Sequence, residues 1–443
     1  MSVIKYLIFT AGALVFVPLM AGIATLKRFR PWLLSLLYFT PVIGEMININ
    51  YYSMETYRGP DRGFEVNLTD LIVWGVTIGL LLKSRKKLTW LPFNSIPLFL
   101  FFLACVSSTL VAPLKIVSLF TLWKFAKLYL VYWCLYNLLS PKMGLTFNQV
   151  AYGMIGIGYV MLYFALKQKY LEGYYRIHGP FDHSNTIPIF LFQMIPVLML
   201  WVITDRRVPR WQAALGLPAA FGATFAIVAT QSRAGAVLIG CSLVAVLGIA
   251  NVRNFSKRSA VVSLLFGLIA VAGVAKAADT FIDRFQNAPK ASEEARDEFN
   301  YAAKLMMADR PFTGVGLNNF SRVLTDETKY NSHIVVMANE EQAGVAHHIY
   351  LLTGAEMGYT GLFLYLLCMG RFWILALYHG LRQRSVESIY LLGYFVGFGC
   401  FHVVGFLEWA FRISPVTYFV AVNSAVIAAL AQRVKEGRAT QLS

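Results

Sequence analysis

Three arginines lie in polar segments or turns between hydrophobic segments, where their side chains can bind an anion. Arg176 lies in the polar stretch 175–185, Arg233 lies in a tight turn between two hydrophobic segments, and Arg296 opens a helix-like stretch. A guanidinium group donates two parallel hydrogen bonds to carboxylate or phosphate oxygens. The alternative is that each side chain simply extends from the membrane surface into water. If the three converge, they favour a substrate with more than one phosphate.

A histidine pair, His347 and His348, immediately precedes another hydrophobic segment. Histidine is the side chain whose ordinary pKa lets it act as a base near neutral pH. The simpler alternative is an interfacial pair without a chemical task. The pair is therefore a candidate for the base in a transfer reaction.

Several charged residues lie within or beside hydrophobic segments, where a charge is costly and needs a partner. Lys124 and Lys127 are three residues apart and share one helix face, and the deeper Lys127 is the better candidate for binding an anionic ligand. Glu356 is a candidate to neutralise an arginine or to polarise a base. Glu408 and Arg412 are predicted to form a structural ion pair.

The sequence contains no motif for a nucleotide, a dinucleotide or a metal ion. There is no Walker A sequence, no glycine-rich dinucleotide fingerprint and no Asp-x-Asp pair in a loop. The five cysteines fall in hydrophobic segments, and no two have zinc-ligand spacing. No metal site and no cofactor are predicted, so a phosphate site would depend on arginine and lysine for its positive charge.

Hydrophobic helices must position these residues. The 443-residue chain is 57% hydrophobic and 14% charged, with a mean hydropathy of +0.58, whereas a soluble domain has about 25% charged residues. Its apolar blocks approach the roughly 20 residues that cross a bilayer, which predicts an all-α polytopic membrane protein of about 12–13 transmembrane helices in a single domain, 1–443. The predicted spans are 6–26, 31–45, 66–82, 93–112, 116–139, 147–166, 186–204, 212–231, 234–251, 259–277, 348–378, 387–407 and 414–432.

The net charge of +16 comes mostly from short basic clusters between pairs of spans. These clusters are 27–30, 83–87, 142, 206–210, 253–258, 382–384 and 433–438. The positive-inside rule places them in the cytoplasm, so this charge indicates membrane topology and not a nucleic-acid partner. The first span, 6–26, is followed by a basic stretch and is predicted to be a retained helix, not a signal peptide.

The longest polar segment, 278–346, is predicted to be a periplasmic loop inserted between two spans. It holds nearly half of the acidic residues of the chain. Loops of this length in a compact protein are usually functional. Residues 292–308 have a one-sided apolar stripe that predicts a helix, and Pro311 is expected to end it.

Four short motifs follow one another between residues 170 and 375. They are Arg176, Gly179, Phe181 and Asn185; then Ser232, Arg233 and Gly235; then Arg296 followed by Pro311, Gly314, Gly316 and Phe320; and finally His347, Tyr350, Leu351, Glu356, Gly358 and Gly361. In this order, and on one side of the predicted membrane, they resemble the bacterial O-antigen ligase and O-antigen polymerase family. That family commonly has asparagine where this chain has His348, so the aligned motif makes His347 the catalytic candidate.

The resemblance implies a multi-pass glycosyltransferase of the inner membrane with its active site facing the periplasm. Such enzymes transfer a glycan from undecaprenyl pyrophosphate to an acceptor hydroxyl. On this hypothesis Arg176, Arg233 and Arg296 bind the pyrophosphate. Lys127 is a fourth candidate contact. His347 is then the general base, and direct attack opposite the leaving diphosphate inverts the anomeric centre.

The acceptor stays open at this point. A ligase would attach finished glycan to a lipid A–core sugar, whereas an O-antigen or exopolysaccharide polymerase would extend a growing glycan, and a protein O-glycosylation ligase is a further alternative. Ligation is preferred because a single long outer loop precedes the histidine motif. Outside this class, a transporter of lipid-linked glycan or solute would need its ionisable residues at the bilayer midplane, and the candidates here lie at the outer surface.

Overall fold

The computed structural model of the protein describes residues 3–265, 290–334 and 344–437. Its elements in chain order are α1 (Val3–Thr25), α2 (Arg30–Phe39), β1 (Asn48–Tyr51), β2 (Phe64–Asn67), α3 (Leu68–Ser84), α4 (Ser95–Val111), α5 (Lys115–Leu139), α6 (Asn148–Leu166), α7 (Thr186–Leu191), α8 (Ile195–Thr204), α9 (Arg210–Ala229), α10 (Arg233–Arg253), α11 (257–265), α12 (Lys290–Asp309), α13 (Phe320–Asp326), α14 (Thr328–Asn331), α15 (Ile349–Arg382), α16 (Val386–Val404) and α17 (Ser414–Lys435).

Eight helices in this part of the chain are long and apolar enough to cross a membrane. They are α1, α5, α6 with its continuation to Leu171, α9, α10, α15, α16 and α17. The prediction of an all-α polytopic membrane protein is confirmed, with one two-stranded sheet as the exception in the described residues.

Two predicted spans are interrupted at prolines. The span predicted at 31–45 forms α2, which ends at Phe39 and is followed by a 3-10 turn that contains Pro41. The span predicted at 186–204 is divided into α7 and α8, and Pro196 lies in the first turn of α8. Proline lacks an N–H, and its ring collides with the preceding helical turn, so each helix stops or restarts there.

The described residues cover only parts of two other predictions. The span predicted at 259–277 is described to residue 265, and residues 278–289 and 335–343 of the long polar segment lie outside the described residues. The helix predicted at 292–308 is confirmed as α12, which ends two residues before Pro311.

Contacts between basic clusters show that they gather at one end of the helical bundle. Arg433 Nη2 donates a hydrogen bond of 2.9 Å to the carbonyl oxygen of Leu139. Arg253 Nη2 donates one of 3.1 Å to the carbonyl oxygen of Gly380. These bonds join the connections at the ends of α5, α10, α15 and α17. Cluster 433–438 therefore lies near cluster 142, and cluster 253–258 lies near cluster 382–384, as the charge pattern predicts for a common side.

The first connection at the other end forms an antiparallel hairpin that the sequence analysis did not predict. Strand β1 pairs with β2, and Asn50 lies opposite Glu65. Successive side chains of a strand point to opposite faces. Ile49 and Val66 lie on one face and pack with Leu71 at the start of α3, so the hairpin is fixed through its apolar side.

Helix α12 packs against the beginning of α15. Its apolar stripe includes Phe299, Ala302 and Met306, which share a buried cluster with Leu352 and Ala355. Helix α12, which belongs to the long polar segment, therefore packs against α15, which begins directly after the histidine pair.

The glycines of the third and fourth motifs lie where two backbones meet. Gly358 interrupts α15 with a φ of 68°, and the N–H of Tyr359 donates to the carbonyl oxygen of Pro311 at 2.6 Å. The N–H of Gly316 donates to the carbonyl oxygen of Glu356 at 3.1 Å. A Cβ on Gly314, whose φ is 65°, would lie 2.2 Å from the carbonyl carbon of Glu356. Only glycine permits this contact.

We expect Gly358→Ala to destabilise the protein more than Gly370→Ala on the same helix. A Cβ at Gly358 would lie 2.5 Å from the carbonyl carbon of Phe312, whereas a Cβ at Gly370 would meet nothing within 4 Å. A non-glycine residue forced into such a conformation costs about 1–3 kcal/mol. Thermal unfolding of the purified proteins in detergent measures the difference, and equal unfolding temperatures for the two variants would contradict the packing described.

Candidate functional site

A polar cavity of about 660 Å³ lies at the end of the bundle that carries the hairpin. Distant parts of the chain build its walls. The polar residues among those that line it are Asn48, Asn50, Asp61, Arg62 and Glu65 from the hairpin and its loop; Trp123 and Lys124 from α5; Asp182, His183 and Asn185 before α7, and Thr186 at its start; Arg296 from α12; His347 before α15; Glu408, Trp409 and Arg412 between α16 and α17; and Ser414 at the start of α17.

Glu408 joins three of these walls. Its Oε1 accepts a hydrogen bond of 2.6 Å from Asn185 Nδ2 and lies 3.1 Å from Arg296 Nη2. Its Oε2 lies 3.5 Å from His347 Nδ1. The Glu408 side chain is only 8% exposed, so one buried carboxylate holds an arginine, a histidine and an amide around itself.

The surroundings of Glu408 keep it ionised. Burial alone would raise its pKa, but the contact with His347 and the positive charge of Arg296 outweigh burial. The pKa of Glu408 is therefore held below its ordinary value. An anion at this position can keep a neighbouring histidine oriented and stabilise that histidine when it gains a proton.

Arg176 reaches this cluster through Asn185. Its Nη2 donates to Asn185 Oδ1 at 2.8 Å, and its Nε donates to the carbonyl oxygen of Thr230 at 3.0 Å. Arg233 is exposed and begins α10, whose N-cap is Ser232. The stretch with Arg176 and the turn with Arg233 are therefore neighbours. Arg176 is joined to the polar cavity through Asn185, while Arg296 lines the cavity itself.

The two adjacent histidines have different surroundings. His347 lines the polar cavity beside Glu408. His348 is the N-cap of α15, and its Nδ1 accepts a hydrogen bond of 3.2 Å from the N–H of Leu351. His348 also packs edge-on against Phe406. The structure thus gives His348 a structural contact and leaves His347 facing the cavity.

Lys127 does not line the polar cavity. Its Nζ lies 2.6 Å from Asp70 Oδ2, and it also donates to the hydroxyl of Tyr418 at 2.7 Å. The expected contact with an anionic ligand would require Lys127 to leave a buried ion pair. Its neighbour Lys124 does line the cavity and pairs with Asp61 at 2.8 Å.

The predicted pair between Glu408 and Arg412 is wrong. Arg412 Nη2 lies 2.9 Å from Glu356 Oε2, and both side chains are at least 95% buried. Glu408 binds Arg296 and His347 instead. Glu356 therefore neutralises an arginine, which was one of its two predicted roles. Proximity in sequence suggested the wrong acid, because Arg412 ends a 3-10 turn and is buried beside Glu356.

The hairpin and its loop supply site residues that sequence reasoning missed. Asp61 is buried, which would raise its pKa, but Lys124 and Arg412 hold that pKa below its ordinary value. Asn48, Asn50 and Glu65 share the polar face of the hairpin. The alternation of polar and apolar residues in both strands was the signal that could have predicted this face.

The described residues contain no group of three or more histidine, cysteine, aspartate or glutamate side chains arranged to hold a metal ion. The positive charge available in and around the polar cavity is that of arginine, lysine and histidine side chains.

Comparison with known proteins gives one match. Residues 218–366, about a third of the chain, match the family model described as O-antigen ligase. No curated protein matches the chain. The matched region contains Arg233, Arg296, His347 and Glu356. It agrees with the resemblance drawn from the four motifs, and it supports assigning this membrane protein to the O-antigen ligase and polymerase family.

Proposed function

We propose that the protein transfers a glycan from undecaprenyl pyrophosphate to an acceptor hydroxyl at the periplasmic surface of the inner membrane. The observation that carries this proposal is the convergence of Arg296, His347 and Glu408 on the polar cavity, with Arg176 joined to it through Asn185. The ligase reaction is preferred to polymerisation because the matched family model is described as O-antigen ligase.

The arginines would bind the diphosphate of the donor. Arg296 is 36% exposed and contacts Glu408 through Nη2. A guanidinium group has five N–H donors, so other donors of Arg296 can bind phosphate oxygens. Negative charge builds up on the diphosphate as the glycosyl bond breaks, and fixed positive groups stabilise that charge. We expect Arg176 and Arg233 to add to this stabilisation.

His347 would act as the general base. Since its Nδ1 faces Glu408, its Nε2 is the nitrogen available to accept the proton of the acceptor hydroxyl. The acceptor oxygen then attacks the anomeric carbon while the bond from that carbon to the phosphate oxygen breaks. The diphosphate leaves with the electron pair, and the anomeric centre is inverted. Glu408 stabilises the imidazolium, as a carboxylate does in other acid–base pairs.

Lys127 has no part in this mechanism. Its ammonium group is already neutralised by Asp70, and Lys127 is not one of the residues that line the cavity. Breaking a buried ion pair costs about 3–5 kcal/mol, which a further phosphate contact would first have to offset.

Replacing the two histidines separately should separate chemistry from stability. We expect His347→Ala to lower glycan transfer by about 100-fold or more, the usual contribution of a general base. His348→Ala removes a helix cap worth about 1 kcal/mol and should leave most of the transfer intact. Transfer from lipid-linked glycan in membrane vesicles, normalised to protein amount by immunoblot, measures both. A greater loss with His348→Ala would exclude His347 as the base.

Glu408→Gln should lower both transfer and stability in a pH-dependent way. Because the pKa of Glu408 is depressed in the folded protein, its ion pairs stabilise the fold above the ordinary carboxyl pKa and are lost as pH falls through the lower folded value. The variant should therefore unfold at a lower temperature than wild type at pH 7, and the gap should close below about pH 4. Transfer at pH 7 should fall at least about 10-fold.

The matched control for that experiment is Glu327→Gln. Glu327 forms a surface ion pair with Arg310 at 3.8 Å, and such pairs contribute at most about 1 kcal/mol. If Glu408→Gln behaves like this control at every pH, Glu408 does not organise the site.

Deletion of the gene, followed by glycolipid analysis, tests the reaction itself. For a ligase, we expect surface glycan to disappear while long lipid-linked polymer accumulates. Accumulation of single lipid-linked repeat units would instead indicate a polymerase. Unchanged glycolipids, or loss of lipid-linked glycan from the periplasmic side without a change in its length, would contradict the transferase assignment.

A further inference from the structure

The polar face of the hairpin has no role in binding the diphosphate or in moving the proton. This face consists of Asn48, Asn50, Glu65 and Asn67, which alternate with apolar residues along β1 and β2. Its first three members line the polar cavity. A row of polar side chains on a strand pair is expected to face water, yet here it faces an enclosed space beside the proposed catalytic residues.

The side chains of Asn48 and Asn50 offer hydrogen-bonding capacity to a ligand. Neither side-chain amide forms a hydrogen bond with another residue in the ranges that the structure describes. Each amide carries one acceptor oxygen and two N–H donors. Two such groups on one strand face, next to a carboxylate, match the adjacent hydroxyl groups of a sugar, each of which donates and accepts.

Glu65 is held in position by neighbouring elements. Its Oε2 accepts a hydrogen bond of 2.9 Å from Ser414 Oγ, and Trp123 Nε1 donates to its carbonyl oxygen at 2.9 Å. Glu65 forms no ion pair within the described ranges. Its carboxylate therefore remains an acceptor for hydroxyl groups in the cavity.

The charges of this wall disfavour a phosphate group. Asp61 is neutralised by Lys124 at 2.8 Å. The formal charges of Arg62 and Glu65 cancel, although the two side chains, both within the described ranges, do not form an ion pair. The arginines proposed to bind the diphosphate, Arg296, Arg176 and Arg233, lie outside this wall. A diphosphate is drawn to those arginines, and an uncharged group is left for the hairpin wall.

Aromatic rings complete the wall. Trp123 and Trp409 both line the polar cavity. Indole rings offer flat apolar surfaces beside a polar N–H, and such surfaces pack against the C–H faces of pyranose rings. Amides, a carboxylate and indoles in one cavity are the combination expected for an uncharged carbohydrate.

We propose that the polar face of the hairpin, with Trp123 and Trp409, is a binding subsite for a phosphate-free sugar, and that this sugar presents the acceptor hydroxyl to His347. Its identification as the acceptor rests on the proposed function. The sugar binding itself depends only on the hairpin wall and does not require transfer.

The test measures sugar binding to the full-length protein in nanodiscs by saturation-transfer NMR. The probe is the delipidated and dephosphorylated oligosaccharide of the source organism's envelope glycolipid. We expect Asn48→Ala/Asn50→Ala and, separately, the nearly isosteric Glu65→Gln to bind it at least about 10-fold more weakly than wild type, the effect of losing two hydrogen bonds. Glu55→Gln is the control, because Glu55 is an exposed residue of the same loop that does not line the cavity.

Comparison with Glu55→Gln decides the outcome, because this control should bind the phosphate-free oligosaccharide as wild type does. Absence of binding to wild type, unchanged binding by the hairpin variants, or an equal loss in Glu55→Gln would each overturn the subsite. Transfer measured on the same preparations keeps the two proposals apart. If wild-type protein binds the sugar but transfers no glycan, only the proposed function is contradicted. If wild-type protein transfers glycan but the hairpin variants bind the sugar normally, only the subsite is contradicted.

Discussion

The buried carboxylate of Glu408 is the group on which the arrangement of the site depends. It binds Asn185 before α7, Arg296 on α12 and His347 before α15. A buried charge without partners costs several kcal/mol, so these three elements stay together only while all of them satisfy it. Arg176 is then held in turn through Asn185. The connection between α16 and α17 contains no predicted motif residue, yet it fixes the positions of most of those motifs.

A second layer of charge supports the first from within the bundle. Glu356 pairs with Arg412, and Lys124 donates to the carbonyl oxygen of Arg412 at 2.9 Å as well as pairing with Asp61. The backbone of Glu356 also bonds with the glycine segment after α12. Paired charges of this kind contribute little net stability, but removing one partner is expensive. These ion pairs therefore determine the geometry of helix packing more than they increase the stability of the fold.

Local patterns in the sequence were enough to predict the helices, the grouping of the basic clusters and the helix in the long polar segment. The order of the motifs also identified Arg296 and His347 as candidate site residues, and both line the polar cavity. The partners of the acids were not predictable, because Glu408 is 112 residues from Arg296 in the chain and Arg412 is only four residues away. Short sequence separation favoured the wrong pair. The hairpin was missed for a similar reason, since its strands are four residues each and their alternation is weak beside the hydrophobic spans.

The glycine-lined contact between the 311–320 segment and α15 has a mechanical consequence. Backbone bonds at Gly316 and Tyr359, together with the apolar cluster of α12, fasten the helix that carries Arg296 to the helix that follows His347. Helices α12 and α15 are therefore expected to move as one rigid unit. A bulky glycan is therefore expected to enter the cavity without separating Arg296 from His347. Crosslinks meant to trap an open form do not belong between these two helices.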